Sequence, residues 1–418
     1  MIQEQPEFKK YLDSYVKRKR LSQKYASSLV AYSYMIQDKE PAAAQKVKER
    51  GWRVGACGNV MEVDKSTGKV VSIRSCGDRF CPICAHKKAL EYYHTNLELV
   101  SRDPGHYAMM TLTLPNCYPE ALGENIKLIR KSWNLYSFDW FRDGLASGGI
   151  SGLEVTFSPE LQQRGLPSCH PHLHFLLHVS DEYYQELEED MKHDQEFRPY
   201  PRVPFGVREN VSYTFRNGQW EVVQRSIKSY ARAYKWRQTN DKIRERWQRI
   251  IGMPFVEGLP MVQCEIHPVV SRNGNDGLEA ACREVSKYIL KCTEYAYNPF
   301  VVGTFLLQMD KVRQYTYLGS WRVLKREVVN EVSSVEKAKF CESREEVYYL
   351  VYDPHKSYYI PYDLIPGWVE TIDDVSESIR AGRRELWRQK RYIDYLKLQR
   401  IRNRANNKNS NFEEIKIS

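Results

Sequence analysis

The alternation of apolar and polar positions is sharpest at His170–Leu177, His-Pro-His-Leu-His-Phe-Leu-Leu. In an extended chain, side chains two apart share a face. His172 and His174 therefore lie on one face, with Leu173, Phe175 and Leu177 on the other. The same two-faced pattern predicts strands at Tyr107–Pro115, Ile150–Phe157 and Met261–His267. Their apolar faces are Met110/Leu112/Leu114, Leu153/Val155/Phe157 and Val262/Cys264/Ile266. The opposite faces carry Thr111/Thr113, Glu154 and Gln263/Glu265. If the four strands share one sheet, these polar faces coincide. Residues 60–73 alternate around Asp64–Gly68, which predicts a hairpin. Helical spacing marks residues 1–50, Leu278–Lys291, a basic segment Arg225–Arg249 inside a long insert (Asp181–Pro260), and the C-terminal tail.

Four regions follow: a helical region 1–50, a cysteine-rich module 51–100, a mixed strand-and-helix domain 104–325, and a basic helical tail 326–418. The fold class expected is α+β: an antiparallel sheet with a helix packed on it, preceded by a small zinc-binding module.

Composition narrows the function classes. With 42% hydrophobic and 28% charged residues the chain is globular. No apolar run approaches the ~18 residues of a membrane helix, and Met1–Lys10 has no signal-peptide core. A cytoplasmic protein without a membrane partner is expected. A net charge of +10 fits a polyanionic partner. There is no G-x-x-x-x-G-K-[ST] loop, so no nucleotide cofactor is expected.

Four of the ten cysteines crowd into residues 57–84: Cys57, then Cys76-Gly-Asp-Arg-Phe-Cys81-Pro-Ile-Cys84. A Cys-x-x-Cys pair puts two thiolates within reach of one tetrahedral zinc. The predicted hairpin can return Cys57 toward them, and His86 is an alternative ligand. This site is read as structural Zn²⁺. His172 and His174 form half of a second metal site, completed by an oxygen ligand from Glu154 or Glu265. Glu154 is favoured because its strand immediately precedes the histidine strand. Two imidazoles and a carboxylate suit Mg²⁺ or Mn²⁺ with positions open to phosphate oxygens.

In the stretch Glu284-Val-Ser-Lys287-Tyr288-Ile-Leu-Lys291, Glu284 and Tyr288 stand one helical turn apart, with Lys291 on nearly the same stripe. A phenol of pKa ~10 is a poor nucleophile at neutral pH. A nearby divalent metal or lysine favours its phenolate.

The order Thr111-Leu-Thr-Leu-Pro-Asn116, His-Pro-His-Leu-His, Glu-Val-Ser-Lys-Tyr-Ile-Leu-Lys resembles the three motifs of the His-hydrophobe-His (HUH) endonuclease superfamily. It is most similar to plasmid rolling-circle replication initiators with a single catalytic Tyr and a Glu one turn before it. Cys76-x-x-Arg79-x-Cys81-Pro82-x-Cys84 resembles the cysteine stretch many of them carry upstream. The resemblance covers about residues 57–325. It implies that a metal on His172 and His174 polarises the scissile phosphate and that Tyr288 attacks to form a 5′-phosphotyrosine. A 3′-OH is left as primer, and Glu284 activates water for the closing cleavage. It also implies a single-stranded or hairpin origin as substrate, with host helicase and polymerase as partners.

Between Arg380 and Lys408 lie eleven Lys or Arg against Glu385 and Asp394, with apolar residues at helical spacing. Arg383, Arg384, Arg388 and Arg391, together with Lys287 and Lys291, are therefore expected to contact DNA. Two rival readings share parts of this pattern. A rolling-circle transposase of the same superfamily would use a second tyrosine, for which Tyr295 and Tyr297 are available. A non-catalytic zinc-containing DNA-binding regulator would need no His-x-His strand.

Overall fold

The computed structural model describes residues 6–64, 70–193, 207–229, 238–254, 262–271, 276–287, 298–309, 311–329, 347–354 and 356–361. The chain divides into two compact units, residues 1–347 and 348–418.

The first unit opens with helices α1 (Pro6–Ile36) and α2 (Pro41–Gly55), a hairpin of β1 (Val60–Asp64) and β2 (Val70–Ile73), and helix α3 (Pro82–Arg102). The helical N-terminal region and the hairpin agree with the sequence pattern. Next come β3 (His106–Thr113), α4 (Leu122–Arg142), β4 (Ala146–Phe157), the short α5 (Pro159–Gln163), β5 (Cys169–Val179) and α6 (Asp181–His193). Then follow β6 (Val207–Arg216), β7 (Gln219–Ser229), α7 (Gln238–Ile250), β8 (Cys264–Pro268), α8 (Gly277–Lys287), α9 (Pro299–Met309) and β9 (Tyr315–Gly319). Residues 321–329 are helical. The second unit contains a hairpin of β10 (Val347–Asp353) and β11 (Tyr358–Pro361), in which Tyr352 pairs with Tyr359.

All four strands predicted from alternation join one five-stranded antiparallel sheet, ordered β8-β3-β5-β4-β9. The fold is therefore α+β, as the sequence indicates. One face of the sheet carries Leu173, Phe175, Leu177, Leu153, Met110 and Leu112 into the main core, where Ile126, Ile129 and Trp133 of α4 cover them. The Trp133 and Phe175 rings stand 4.2 Å apart. Trp247 of α7 is fully buried in the same core and donates its indole N–H to the Thr113 carbonyl at 2.8 Å. The other face carries the histidines. Toward one end of that face, Leu176 and Ile150 are buried against Ala281, Cys282 and Val285 of α8 and Leu99 of α3. Helices thus pack on both faces of the sheet.

The segment Arg225–Arg249, expected as one basic helix, is divided. Residues up to Ser229 belong to β7, and α7 begins at Gln238. The cause is the pair Asn217-Gly218, whose positive φ values (51° and 78°) make the tight turn that sends β7 back along β6. Asn-Gly between extended segments is a strong hairpin signal, and it outweighs the helical charge pattern that follows.

Candidate metal centres and active site

The hairpin solves the problem of the unpaired Cys57. Cys57 follows α2 and Cys76 follows β2. Hydrogen bonds from Gly58 N to Arg74 O (2.7 Å) and Arg74 N to Val60 O (2.9 Å) zip the two chain ends together. Cys81 caps the N-terminus of α3, and Cys84 sits in its first turn. The four sulfurs lie within 4.8 Å of one another. Cys84 Sγ is 3.6 Å from both Cys57 Sγ and Cys76 Sγ. A tetrahedron of thiolates at the usual Zn–S length of about 2.3 Å has edges of about 3.8 Å, so the donor set fits zinc closely. The helix N-terminus adds a field that favours thiolate. Hydrogen bonds from the neighbouring thiols, Cys57 first, hold Cys81 toward its thiolate form, whereas Cys57 itself is pushed up, chiefly by its bond to Cys76. His86 is not part of the group; burial, aided by Arg18, lowers its pKa to about 4.

Sequence reasoning missed the wall behind this site. Lys19 of α1 is fully buried, and its ammonium donates to Gly55 O (2.6 Å), Cys57 O (2.7 Å) and Asn59 Oδ1 (2.6 Å). Burial lowers its pKa to about 8. Ser22, one turn on, donates to Val54 O at 3.0 Å and lies 3.5 Å from Cys81 Sγ. On the far side, buried Asp78 accepts from the Arg50 guanidinium and from the Phe80 amide (2.9 Å). Arg79 donates to the carbonyls of Met309 and Val312, tying the cysteine loop to the segment that leads into β9. The signal for Lys19 was present in the sequence. It stands on the apolar stripe Leu12, Val16, Ser22, Ala26, Leu29, inside a basic run that reads as solvated.

The second group is built by register. Glu154 of β4 and Thr113 of β3 flank His172, while Gly152 of β4 and Thr111 of β3 flank His174. Ligand atoms of Glu154, His172 and His174 lie within 4.8 Å of one another. Glu154 is buried, and its Oε2 is 2.8 Å from His174 Nε2. On the other ring nitrogen, His174 Nδ1 is 3.1 Å from Thr111 Oγ1, an outer partner that fixes the imidazole plane. His172 Nε2 is 3.0 Å from His170 Nδ1. Two imidazoles and one carboxylate are three ligands, a donor set that fits a divalent cation with coordination positions to spare. Glu265 lies on the same face but two strands from His174, and its Oε2 is 3.2 Å from His267 Nε2.

Helix α8 packs on this same sheet face, and its Ser286 hydroxyl accepts from Asn96 at 3.1 Å. Glu284 is exposed on α8, where it accepts from Lys287 Nζ at 2.9 Å, and it is not part of the Glu154–His172–His174 group. Tyr288, Lys291, Tyr295 and Tyr297 lie outside the described residues, as do Arg383, Arg384, Arg388 and Arg391.

No helix among the described residues is long and apolar enough to cross a membrane. Residues 67–198 match the profile of a family described as "Replication protein". That span contains Cys76, Cys81, Cys84, Glu154, His172 and His174, and ends well before Glu284. The chain is 21% identical over 314 residues to a "Protein rep" of Lactiplantibacillus plantarum, covering 72% of this chain and 81% of that protein. It is 26% identical over 123 residues to a "Protein rep" of Staphylococcus aureus, covering 28% of this chain and about half (51%) of that relative. No solved structure matches. The likeness supports a replication protein; the family match takes in Glu154, His172, His174 and three of the four clustered cysteines.

Proposed function

We propose that this chain initiates rolling-circle replication of a plasmid by nicking its origin and joining covalently to one strand. The observation that carries the reading is the Glu154–His172–His174 group, set on the sheet face on which the Glu284 helix also packs. Bound there, Mg²⁺ or Mn²⁺ would supply Lewis-acid polarisation of the scissile phosphate. Thr111 holds the His174 ring, and the buried Glu154 balances charge beside it. The Tyr288 hydroxyl attacks the phosphorus in line. A phosphotyrosine bond forms to the 5′ side as the P–O3′ bond breaks, the tyrosine loses its proton and the 3′-oxygen gains one. The free 3′-OH primes a host polymerase, with a host helicase opening the duplex. After one round Glu284 takes a proton from water for the closing cleavage, a general-base role for an exposed carboxylate. The cysteine site holds zinc and keeps its module folded, and the basic tail contacts phosphates. The protein acts in the cytoplasm, on single-stranded or hairpin DNA.

The test uses end-labelled origin oligonucleotide on denaturing gels with Mg²⁺ or Mn²⁺. Tyr288→Phe keeps the ring but removes the nucleophilic oxygen, so it is expected to lose both the nick and the shifted covalent band. Glu284→Ala is expected to form the band and to accumulate it, because release needs the carboxylate while the first attack does not. A covalent band in Tyr288→Phe would reassign the nucleophile to Tyr295 or Tyr297. Normal release by Glu284→Ala would assign the base elsewhere.

A further inference from the structure

A groove of about 1480 Å³ runs between α3, β9 and the helical segment 321–329. Its floor holds three tyrosines: Tyr92 and Tyr317 are half-buried and reach the groove, and Tyr315 lies buried beneath Tyr92. Tyr92 and Tyr315 stack with ring centroids 4.1 Å apart and planes 20° from parallel, and Tyr317 meets Tyr315 edge-on at 5.6 Å. Its walls are cationic, with Lys87, Arg313, Arg322, Lys325 and Arg326. The two acidic residues lining it are already engaged, Glu91 with Lys88 and Glu98 with Arg102, both at 2.7 Å. Arg313 and Arg322 also line a second cavity, of about 300 Å³, that holds Arg130. Burial, reinforced by Arg313 and Arg79, lowers the Arg130 pKa. Among the described residues, the cations therefore concentrate around the edge strand β9 without acids to cancel them.

The position of the groove matters as much as its chemistry. Tyr315 pairs with Gly152, which pairs with His174. At strand spacings of about 4.8 Å, Tyr315 sits about 10 Å from the histidine along one row of the same sheet face. Gly152, between them, places no side chain in the way. Exposed bases stack on tyrosine faces while phosphates meet Arg and Lys, which is how proteins hold single strands without reading sequence. A rigid duplex cannot lay its bases on such a floor.

We infer that this groove is the track for a single-stranded arm of the DNA on one side of the cleaved phosphate. The choice of DNA as occupant rests on the nuclease reading above. The track itself is argued from the half-exposed rings of Tyr92 and Tyr317, with buried Tyr315 bracing Tyr92 from beneath, and from the uncancelled cations.

Fluorescence anisotropy of the full chain with labelled single-stranded and duplex oligonucleotides, across a salt series, tests it. Arg322→Ala/Arg326→Ala removes two exposed groove charges. Lys242→Ala/Arg246→Ala removes two exposed charges from the distant surface where Lys242 pairs with Glu186 and Arg246 with Asp139. The groove variant is expected to bind single strands about tenfold or more weakly, with a log–log salt slope shallower by about 0.7 for each phosphate the protein no longer neutralises. The control variant should bind as wild type does, and thermal melting should be alike for all three. Unchanged single-strand affinity in the groove variant overturns the inference, as does an equal loss in the control or an equal loss on duplex. Nicking is scored separately. A wild type that never nicks, yet depends on the groove for single-strand binding, removes the nuclease reading and leaves the track in place. A wild type that nicks, with groove variants that bind unchanged, removes the track alone.

Discussion

The two metal-ligand groups differ in almost every physical respect. The cysteine group offers four soft donors, enough to fill a tetrahedron, and is walled by α1, the β1–β2 hairpin and the start of α3. A cation, Lys19, is buried against it. The Glu154–His172–His174 group offers three harder donors on the sheet face on which α3 and α8 pack. Four protein ligands leave no position for substrate, whereas three leave room in the coordination sphere for a phosphate oxygen. One site is suited to holding the chain together and the other to acting on something outside it.

The strongest way to break that contrast is to disable each group in turn. His172→Ala/His174→Ala is expected to fold and melt as wild type does but to lose nicking of origin DNA by at least about a thousandfold, the scale of removing a central electrostatic stabiliser. EDTA should copy this loss and Mg²⁺ or Mn²⁺ should reverse it. Cys81→Ser is expected to do the opposite damage: loss of bound zinc and of cooperative melting, because metal binding and folding are one equilibrium at such a site. A well-folded double-histidine variant with full activity, or a Cys81→Ser protein that melts normally, would erase the division. Within the open group, Glu154→Gln should weaken metal-dependent cleavage far more than Glu265→Gln.

Much of this contrast was legible in the sequence, and the reasons are specific. His172 and His174 stand on a strand whose period-two pattern is unbroken, so their shared face could be read directly. Glu154 followed from the order of strands and the identity of their polar faces. The cysteine cluster was visible by spacing, although the route by which Cys57 reaches the others depends on a hairpin register. Three things were hidden, wholly or in part. Leu176 shares the histidine face, yet it is buried under α8, because a second layer covers that part of the sheet. The β6–β7 hairpin was obscured by a run of basic residues whose helical spacing masks the Asn217-Gly218 turn. The role of α1 was only half legible: Lys19 stands on the apolar stripe, but the partners that bury it are 36 to 40 residues away along the chain.

Lys19 sharpens the comparison, since among the described residues only the closed site has a buried cation beside it. Lys19→Met keeps the length and the apolar stem but leaves Gly55 O and Cys57 O without their charged donor. A destabilisation of about 3 kcal/mol is expected. Zinc affinity, read by competition with a chromophoric chelator, should fall about 10–100-fold, as for other outer-shell partners of metal ligands. Lys19→Arg should recover part of the affinity if charge is what matters. If Lys19→Met binds zinc as tightly as wild type while still melting early, the lysine only fastens α1 to the loop, and the closed site owes nothing to the helix in front of it.

The smallest effect belongs to Ser22, whose single hydroxyl proton faces two claims. It is donated to Val54 O at 3.0 Å, while Cys81 Sγ stands 3.5 Å away. Neighbouring thiols hold Cys81 toward its thiolate form even without metal, so its sulfur accepts rather than donates in either state. The hydroxyl must therefore choose between the carbonyl and the sulfur. The net worth of the interaction is one neutral hydrogen bond in either state. Ser22→Ala should therefore cost about 1 kcal/mol in denaturant unfolding and lower zinc affinity only a few-fold. The ranking is the informative quantity. Should Ser22→Ala lose as much zinc affinity as Lys19→Met, hydrogen bonding to sulfur rather than the buried charge would be what α1 contributes to the closed site.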